Sequence, residues 1–303
     1  TVQAITVLDR CKEPGAVGEP LHTDVVAVLA EAVMEGRRAA LPKVVGARYG
    51  LSSKELTPAM VAAALDAATG ERRHVTVGIV DDVTHLSLDV PTDGDRALDT
   101  DDADVRAVFF GLGSDGTVSA NKAAVKIVGE QTDLHAQGYF VYDSKKSGST
   151  TVSHLRFSAR PIRSTYLIRR AGFVACHHIG LLDRMDVLGV AEPGATVLLN
   201  TPTPPDEVWD SLSAPVQEEN VSRGHRLDVI DGDGLAAEVG MPGRIGAVMM
   251  PCFFALAGIL PAEQAIAEIK RSFRTTYGKR GAAVVARNER AVDLAVDRLV
   301  EIP

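Results

Sequence analysis

Cysteine is scarce in this chain. Only Cys11, Cys176 and Cys252 occur among 303 residues, and they stand far apart. There is no CxxC pair and no four-cysteine run. The chain alone therefore lacks the donors of an ordinary four-cysteine iron–sulfur cluster or a zinc ribbon. Three reduced thiols in the cytoplasm are the expectation. No unbroken apolar stretch is long enough for a membrane-spanning helix, which needs roughly 20 residues. Charge of one sign is not concentrated either: 32 Lys and Arg face 40 Asp and Glu, for a net charge of −8. No basic arm is present, so nucleic acid is not an expected partner. The N-terminal TVQAITVLDR lacks the layout of a signal peptide. Its first residue is Thr1, not Met, as in a processed product or a section of something larger. Internal repeats and low-complexity segments are missing, and no Ser–His–Asp or Cys–His arrangement stands out.

What is present suits a soluble globular chain: 46% hydrophobic and 24% charged residues, and a length that allows two domains. Residues 4–9 (AITVLD) predict a strand, followed by a turn rich in Gly and Pro and a helix over 24–34. Residues 43–47 predict a second strand. Thr57-Pro58 is a good helix start, with a capping hydroxyl before a proline at the first helical position, and the helix runs over 59–68. A third strand is expected over 74–80. Residues 91–104 are rich in aspartate and poor in apolar side chains, which reads as an acidic linker. Beyond it, strands are expected near Val108, Phe140, Tyr166 and Val197 and over 247–250, with helices over 262–273 and 281–300 closing the chain. The expected fold class is α/β. Two open, mostly parallel-sheet domains, 1–90 and 105–303, are joined by the linker.

The most informative stretch is Phe110 to Phe157, FGLGSDGTVSANKAAVKIVGEQTDLHAQGYFVYDSKKSGSTTVSHLRF. An apolar strand runs into the turn Gly111-Leu112-Gly113-Ser114-Asp115-Gly116-Thr117. A helix beginning near Val118 follows, then a strand over 138–142, then the loop Asp143-Ser144-Lys145-Lys146-Ser147-Gly148. Strand, glycine turn, helix and strand make the βαβ arrangement that holds phosphorylated ligands. Free amides at the helix start face an anion, and glycine lets the backbone approach.

The GxGxxG pattern alone is weak and gains weight from its place between strand and helix. Asp143 lies where a ribose-binding acid would lie in a dinucleotide fold, so an NAD or FAD site is one reading. Asp115 among the amides is electrostatically awkward for a pyrophosphate unless it caps the helix. Lys145 and Lys146 suit a ligand with a phosphate on its ribose. A purely structural glycine turn is the plain alternative.

Other constellations read as structural. Gly232-Asp233-Gly234 resembles the start of a thiamine-diphosphate motif, but no asparagine follows before Asn288, so a simple turn is expected. His177 and His178 are adjacent, and neighbours on a strand point to opposite faces, so a shared metal is not expected. Asp81-Asp82 with His85 reads as a solvated strand end.

The segments GLGSDGTVSANK, TDLHAQGYFVYDSKKSGSTTVSHLRF and PIRSTYLI closely resemble the γ-type domain of pyruvate:ferredoxin (flavodoxin) oxidoreductases. Upstream, AITVLDRCKEPGAVGEPL, VVGARYGLSSKELTPAMV and TVGIVDDVTHLSL resemble the transketolase-C-terminal-like domain that precedes it in the single-chain enzymes. Downstream, PCFFALAGILPAEQAIAEIKRSF and YGKRG resemble the end of the γ domain. The resemblance covers nearly the whole chain. It implies an internal section of an enzyme that oxidises pyruvate to acetyl-CoA and carbon dioxide and passes electrons to ferredoxin or flavodoxin. That enzyme uses thiamine diphosphate, magnesium and three 4Fe-4S clusters held in other parts of the protein, and is usually a homodimer. The section alone is expected to be inactive.

The resemblance further implies a contribution to coenzyme A binding from Gly113, Ser114, Asp115, Gly116, Thr117, Val118 and Lys146. It implies an asparagine after Arg244-Ile245, where this chain has Gly246. It also implies a basic contact that completes the coenzyme A site, among Arg244, Lys279, Arg280 and Arg287. A free-standing NAD- or FAD-binding domain and a non-catalytic scaffold remain alternatives.

Overall fold

The computed structural model describes residues 2–51, 54–80, 83–90, 103–142 and 149–303. The chain divides into two compact units, Thr1–Thr100 and Asp101–Pro303. Most of the aspartate-rich stretch, residues 91–102, lies outside the described residues, as do Asp81, Asp82 and the loop 143–148.

The first unit is a three-stranded parallel sheet, β1 (Ala4–Asp9), β2 (Lys43–Arg48) and β3 (His74–Thr76), in that spatial order. Helices α1 (Pro20–Met34) and α2 (Pro58–Asp66) make the crossovers. The predicted cap forms: Thr57 accepts from the Met60 amide at 3.2 Å. α1 starts without a cap of its own and borrows one from the end of β1. Asp9 accepts from the amides of Leu21 (3.2 Å) and His22 (3.0 Å). A small core of Val45, Ala47, Ala64, Val75 and Val77 holds the layers together.

In the second unit, β4 (Val105–Leu112) leads through the glycine turn into α3 (Thr117–Gln131) and β5 (His135–Tyr142). β6 (Thr150–Ser158), β7 (Ala171–Cys176) and β8 (Ala191–Asn200) follow. Two short helices, α4 (Pro205–Ser211) and α5 (Ala214–Arg223), precede β9 (Arg226–Ile230). The chain closes with α6 (Gly232–Glu238), α7 (Gly246–Ala257), α8 (Ala262–Tyr277), α9 (Ala282–Ala295) and β10 (Val300–Ile302). These strands form one seven-stranded sheet in the order β10-β9-β8-β7-β4-β6-β5.

The α/β class is as expected, with refinements. Pairing is parallel from β9 through β8 and β7 to β4, and antiparallel at both flanks. β4 and β5 run the same way, but β6 lies between them, so the βαβ arrangement is split. Residues 247–250 are not a strand. They open α7, whose sequence GAVMMPCFFALA is apolar on every side, and periodicity cannot separate a buried strand from a buried helix in such a run. Tyr166 lies in an irregular connection, and the strand begins at Ala171. The predicted final helix ends at Ala295, a short 3-10 turn covers Val296–Arg298, and Val300 begins β10 on the sheet edge.

Alternation along β4 divides the core. Ala107 and Phe109 face α3, α7, α8 and α9, whereas Val108 and Phe110 face the opposite layer. Phe253 of α7 anchors the first layer, with ring centroids 5.0 Å from both Phe109 and Phe173. Removing such a ring costs about 3–5 kcal/mol in a close-packed core.

Cys176 and Cys252 are fully buried, and burial raises both thiols to about 12. Cys11 is half-buried. Under native conditions at pH 8, alkylation followed by peptide mass mapping should modify Cys11 and spare the other two. Equal labelling of all three would contradict the packing.

Candidate functional site

The sheet has a topological switch between β4 and β7. The chain leaves β4 toward β6 and β5, and leaves β7 toward β8 and β9. Crevices at the carboxyl ends of strands at such a point are where open α/β sheets bind ligands. The glycine turn projects from the end of β4 at this place.

The turn uses two left-handed residues, Ser114 (φ 75°) and Gly116 (φ 94°). A side chain with φ near 75° is uncommon outside glycine, so Ser114 needs support from its surroundings. Asp115 supplies it. One carboxylate oxygen accepts from the Leu112 amide at 2.8 Å and the other from the Thr117 amide at 2.7 Å. The Gly113 amide donates to the Ser149 carbonyl at 2.7 Å. Asp115 therefore spans the turn and caps the helix, which removes the electrostatic objection to its presence. The first intrahelical bond runs from Ala120 N to Gly116 O, so the amides of Val118 and Ser119 remain without an intrahelical acceptor.

Thr117 turns inward. It is fully buried, and its hydroxyl lies 2.6 Å from Nδ1 of His177. His177 follows β7 directly; it is buried, whereas His178 is exposed, as adjacent extended residues require. Burial pushes the His177 imidazole down to about 4, against the pull of nearby Asp115. The carbonyl of His177 accepts from Asn200 at the end of β8 (2.9 Å), and the same amide nitrogen donates to Asp233 (2.9 Å). Sequence reasoning dismissed His177 as a metal ligand and missed this contact, because Thr117 and His177 are 60 residues apart.

Beside the turn opens a cleft of about 240 Å³. Gly116, Ser119 and Ala120 of the α3 start form one wall, with Arg244 and Gly246 beside them. The facing wall comes from the end of α8 (Phe273, Tyr277), the short turn after it (Arg280) and α9 (Asn288). Of the basic candidates, Arg244 and Arg280 line the cleft. Arg287 instead donates to the Gly240 carbonyl at 3.4 Å, and Lys279 is not among the lining residues. The Arg280 guanidinium lies 5.5 Å from the Tyr277 ring centroid. Asn288 is a polar cleft residue that the sequence did not single out; it sits on an otherwise apolar face of α9, and its amide donates to Val284 O at 2.8 Å. Gly113 and Ser114 are exposed and Val118 is half-buried; none of the three is among the cleft-lining residues, and Lys146 lies outside the described residues.

Gly246 has a steric role. A Cβ built there would stand 2.7 Å from the Gly116 carbonyl oxygen and 3.1 Å from Ala120 Cβ. The starts of α3 and α7 therefore meet backbone to backbone, and the asparagine expected at this position has no room on this backbone.

Other sequence candidates are engaged elsewhere or lie apart. Asp233 of the Gly-Asp-Gly segment is in the first turn of α6, behind the cap made by Asp231 to Gly234 N (2.7 Å). Among the described residues, no group of three His, Cys, Asp or Glu side chains is arranged to hold a metal ion. No described helix is long and apolar enough to cross a membrane.

A mixed α/β sheet carrying a glycine turn and two arginines at its switch point is an arrangement whose chemistry suits an anion. The chain belongs to the pyruvate ferredoxin/flavodoxin oxidoreductase family, whose model matches residues 106–298. It is 53% identical over its whole length to the pyruvate-flavodoxin oxidoreductase of Rhodospirillum rubrum, covering 25% of that protein. To the pyruvate:ferredoxin oxidoreductase of Moorella thermoacetica it is 46% identical, again over the whole chain and 25% of the relative. The chain thus spans about a quarter of the length of the curated relatives it matches.

Among solved structures, the pyruvate oxidoreductase subunit PORC of Thermotoga maritima matches 66% of this chain and 98% of its own, with TM-score 0.52 at 14% identity. The 2-oxoglutarate:ferredoxin oxidoreductase of Magnetococcus marinus, solved with 2-oxoglutarate, coenzyme A and succinyl-CoA bound, matches 64% of this chain and 31% of its own. Its TM-score is 0.50 at 16% identity. At such identities the likeness establishes a shared fold.

Gly246→Ala should destabilise the protein by about 1–3 kcal/mol in urea unfolding, since two packed helices must part; an unchanged midpoint would show that the approach is looser than described. A second expectation concerns pH. Like His177, His154 is lowered to about 4, first by burial and then by Arg156. A histidine depressed in the folded state binds its proton more readily when unfolded. Stability is therefore full above pH 6.5 and falls as pH drops from 6.5 toward 4. The unfolding midpoint should be lower at pH 5 than at pH 7, with a smaller difference in a His177→Asn variant.

Proposed function

We propose that this chain is the coenzyme A-contacting section of a pyruvate:ferredoxin or pyruvate:flavodoxin oxidoreductase, the enzyme that converts pyruvate and coenzyme A to acetyl-CoA and carbon dioxide. The observation that carries the reading is the cleft that brings Gly116, Ser119 and Ala120 of the α3 start together with Arg244 and Arg280. Coenzyme A carries a diphosphate and a 3′-phosphate. Two free amides at a helix start serve one phosphate group, and a guanidinium serves another as a charge-assisted donor. Among the described residues neither arginine is held in an ion pair, so both charges are available. Lys146, on the loop after β5, is the further cation proposed for this ligand.

The same turn suits a dinucleotide less well. Both ligands carry a pyrophosphate, but NAD and FAD lack the ribose 3′-phosphate that would engage the second arginine.

In this reading the second unit is the γ-type domain, residues 105–303, and the first, residues 1–90, is part of a transketolase-C-terminal-like domain, with residues 91–104 linking them. The electron chemistry belongs to thiamine diphosphate, magnesium and 4Fe-4S clusters held by other parts of a cytoplasmic homodimer, with ferredoxin or flavodoxin as acceptor. This section binds and orients the coenzyme A that accepts the acetyl group.

Arg280→Ala in the full-length enzyme should raise the KM for coenzyme A about 5- to 150-fold, the range of one charge-assisted phosphate contact. The KM for pyruvate should stay within about twofold, and the effect should shrink with added salt. Lys146→Ala should behave alike, with Lys145→Ala as its control for register. Calorimetry on the enzyme should rank coenzyme A above dephospho-coenzyme A and both above NAD. Equal affinity for coenzyme A and NAD, with unchanged KM in the variants, would remove the reading.

A further inference from the structure

We infer that His177 is a positioning residue for the substrate-binding turn, acting through its hydrogen bond to Thr117. The inference rests on the coenzyme A reading of the adjacent cleft.

Thr117 is the first residue of α3, directly before the two amides that lack an intrahelical acceptor, and Ser119 lines the cleft. Its own amide is taken by Asp115 and its hydroxyl by His177, so both of its polar handles are fixed. The contact is short, 2.6 Å, and fully enclosed. Either imidazole tautomer can make it, because a threonine hydroxyl both donates and accepts.

The histidine is itself held by the sheet. Its amide donates to Phe110 O at the end of β4 (2.8 Å), and its carbonyl accepts from Asn200 at the end of β8 (2.9 Å). Its ring stands edge-on to Phe109, centroids 6.0 Å apart. Asn200 also accepts from the Gly232 amide at 2.8 Å. His177 is thus tied to the ends of three neighbouring strands and hands their rigidity to one residue of the turn.

The turn needs such an anchor. Ser114 and Gly116 are both left-handed, and Gly113 and Ser114 at the tip of the turn are exposed. Fixing Thr117 sets where the helix starts, and so where the Val118 and Ser119 amides stand. A side chain buried at the switch point without touching the ligand controls the ligand's affinity by this route. Nε2 of His177 has no partner and faces packed protein, which separates this role from direct contact.

The test uses the full-length enzyme. His177→Leu and Thr117→Val, the latter close to isosteric, should each raise the KM for coenzyme A roughly tenfold, as for loss of one buried hydrogen bond. The KM for pyruvate should move less than about twofold. His177→Asn keeps a polar atom near the Nδ1 position and should restore most of the affinity. Combining His177→Leu with Thr117→Val should be no worse than either single change, because both break the same bond.

Arg280→Ala separates the two readings. If it raises the coenzyme A KM while His177→Leu and Thr117→Val do not, the positioning role is overturned and the coenzyme A site stands. If Arg280→Ala also has no effect, the site assignment falls and the inference with it. Additive losses in the double variant, or parallel rises in both KM values, overturn the role too. Should His177→Leu fail to fold, Thr117→Val with His177→Asn decides by the same criteria.

Discussion

The second unit depends on one close approach, the backbone of Gly246 against the carbonyl of Gly116. With no Cβ on either residue, the starts of α7 and α3 meet without side chains between them. That contact seats α7, apolar on every side, beneath the sheet, where Phe253 reaches Phe109 and Phe173. It also sets the mouth of the cleft, because Arg244, just before α7, and Ser119, in the first turn of α3, line it together. Core and site are therefore built by the same contact. A side chain at residue 246 would disturb both, since a close-packed interior cannot absorb a carbon atom without moving its neighbours.

The electrostatics of the site follow from where acids are spent. Asp115 lies inside a turn suited to anions, yet both its oxygens are bound by turn amides, so its charge holds the turn in shape. Asp233 is similarly engaged with Asn200. Arg244 beside the α3 start and Arg280 on the facing wall hold no ion pair among the described residues. Burial disfavours the charged form of the His177 imidazole, so it anchors the turn by hydrogen bonding. This division is consistent with an anionic ligand above and a neutral, close-packed floor below.

Family membership sets the scale. The chain spans about a quarter of its curated relatives.

Much was legible in the sequence because its signals are local. The Thr57-Pro58 helix start, the strand–glycine turn–helix order and the residues of the turn could be read directly, since capping and left-handed backbone are decided by a few neighbours. So was the family, carried by motifs along nearly the whole chain. Tertiary structure decided what depends on distant partners. Residues 247–250 are helical because the surrounding layers bury them on all sides, which a run of apolar residues does not reveal. β6 enters between β4 and β5 because hydrogen-bond pairing is non-local. The choice of Arg244 and Arg280 over Arg287 was likewise made by packing. So was the inward turn of Thr117, whose partner His177 lies on another strand end, since only the folded sheet brings residues 60 positions apart to 2.6 Å.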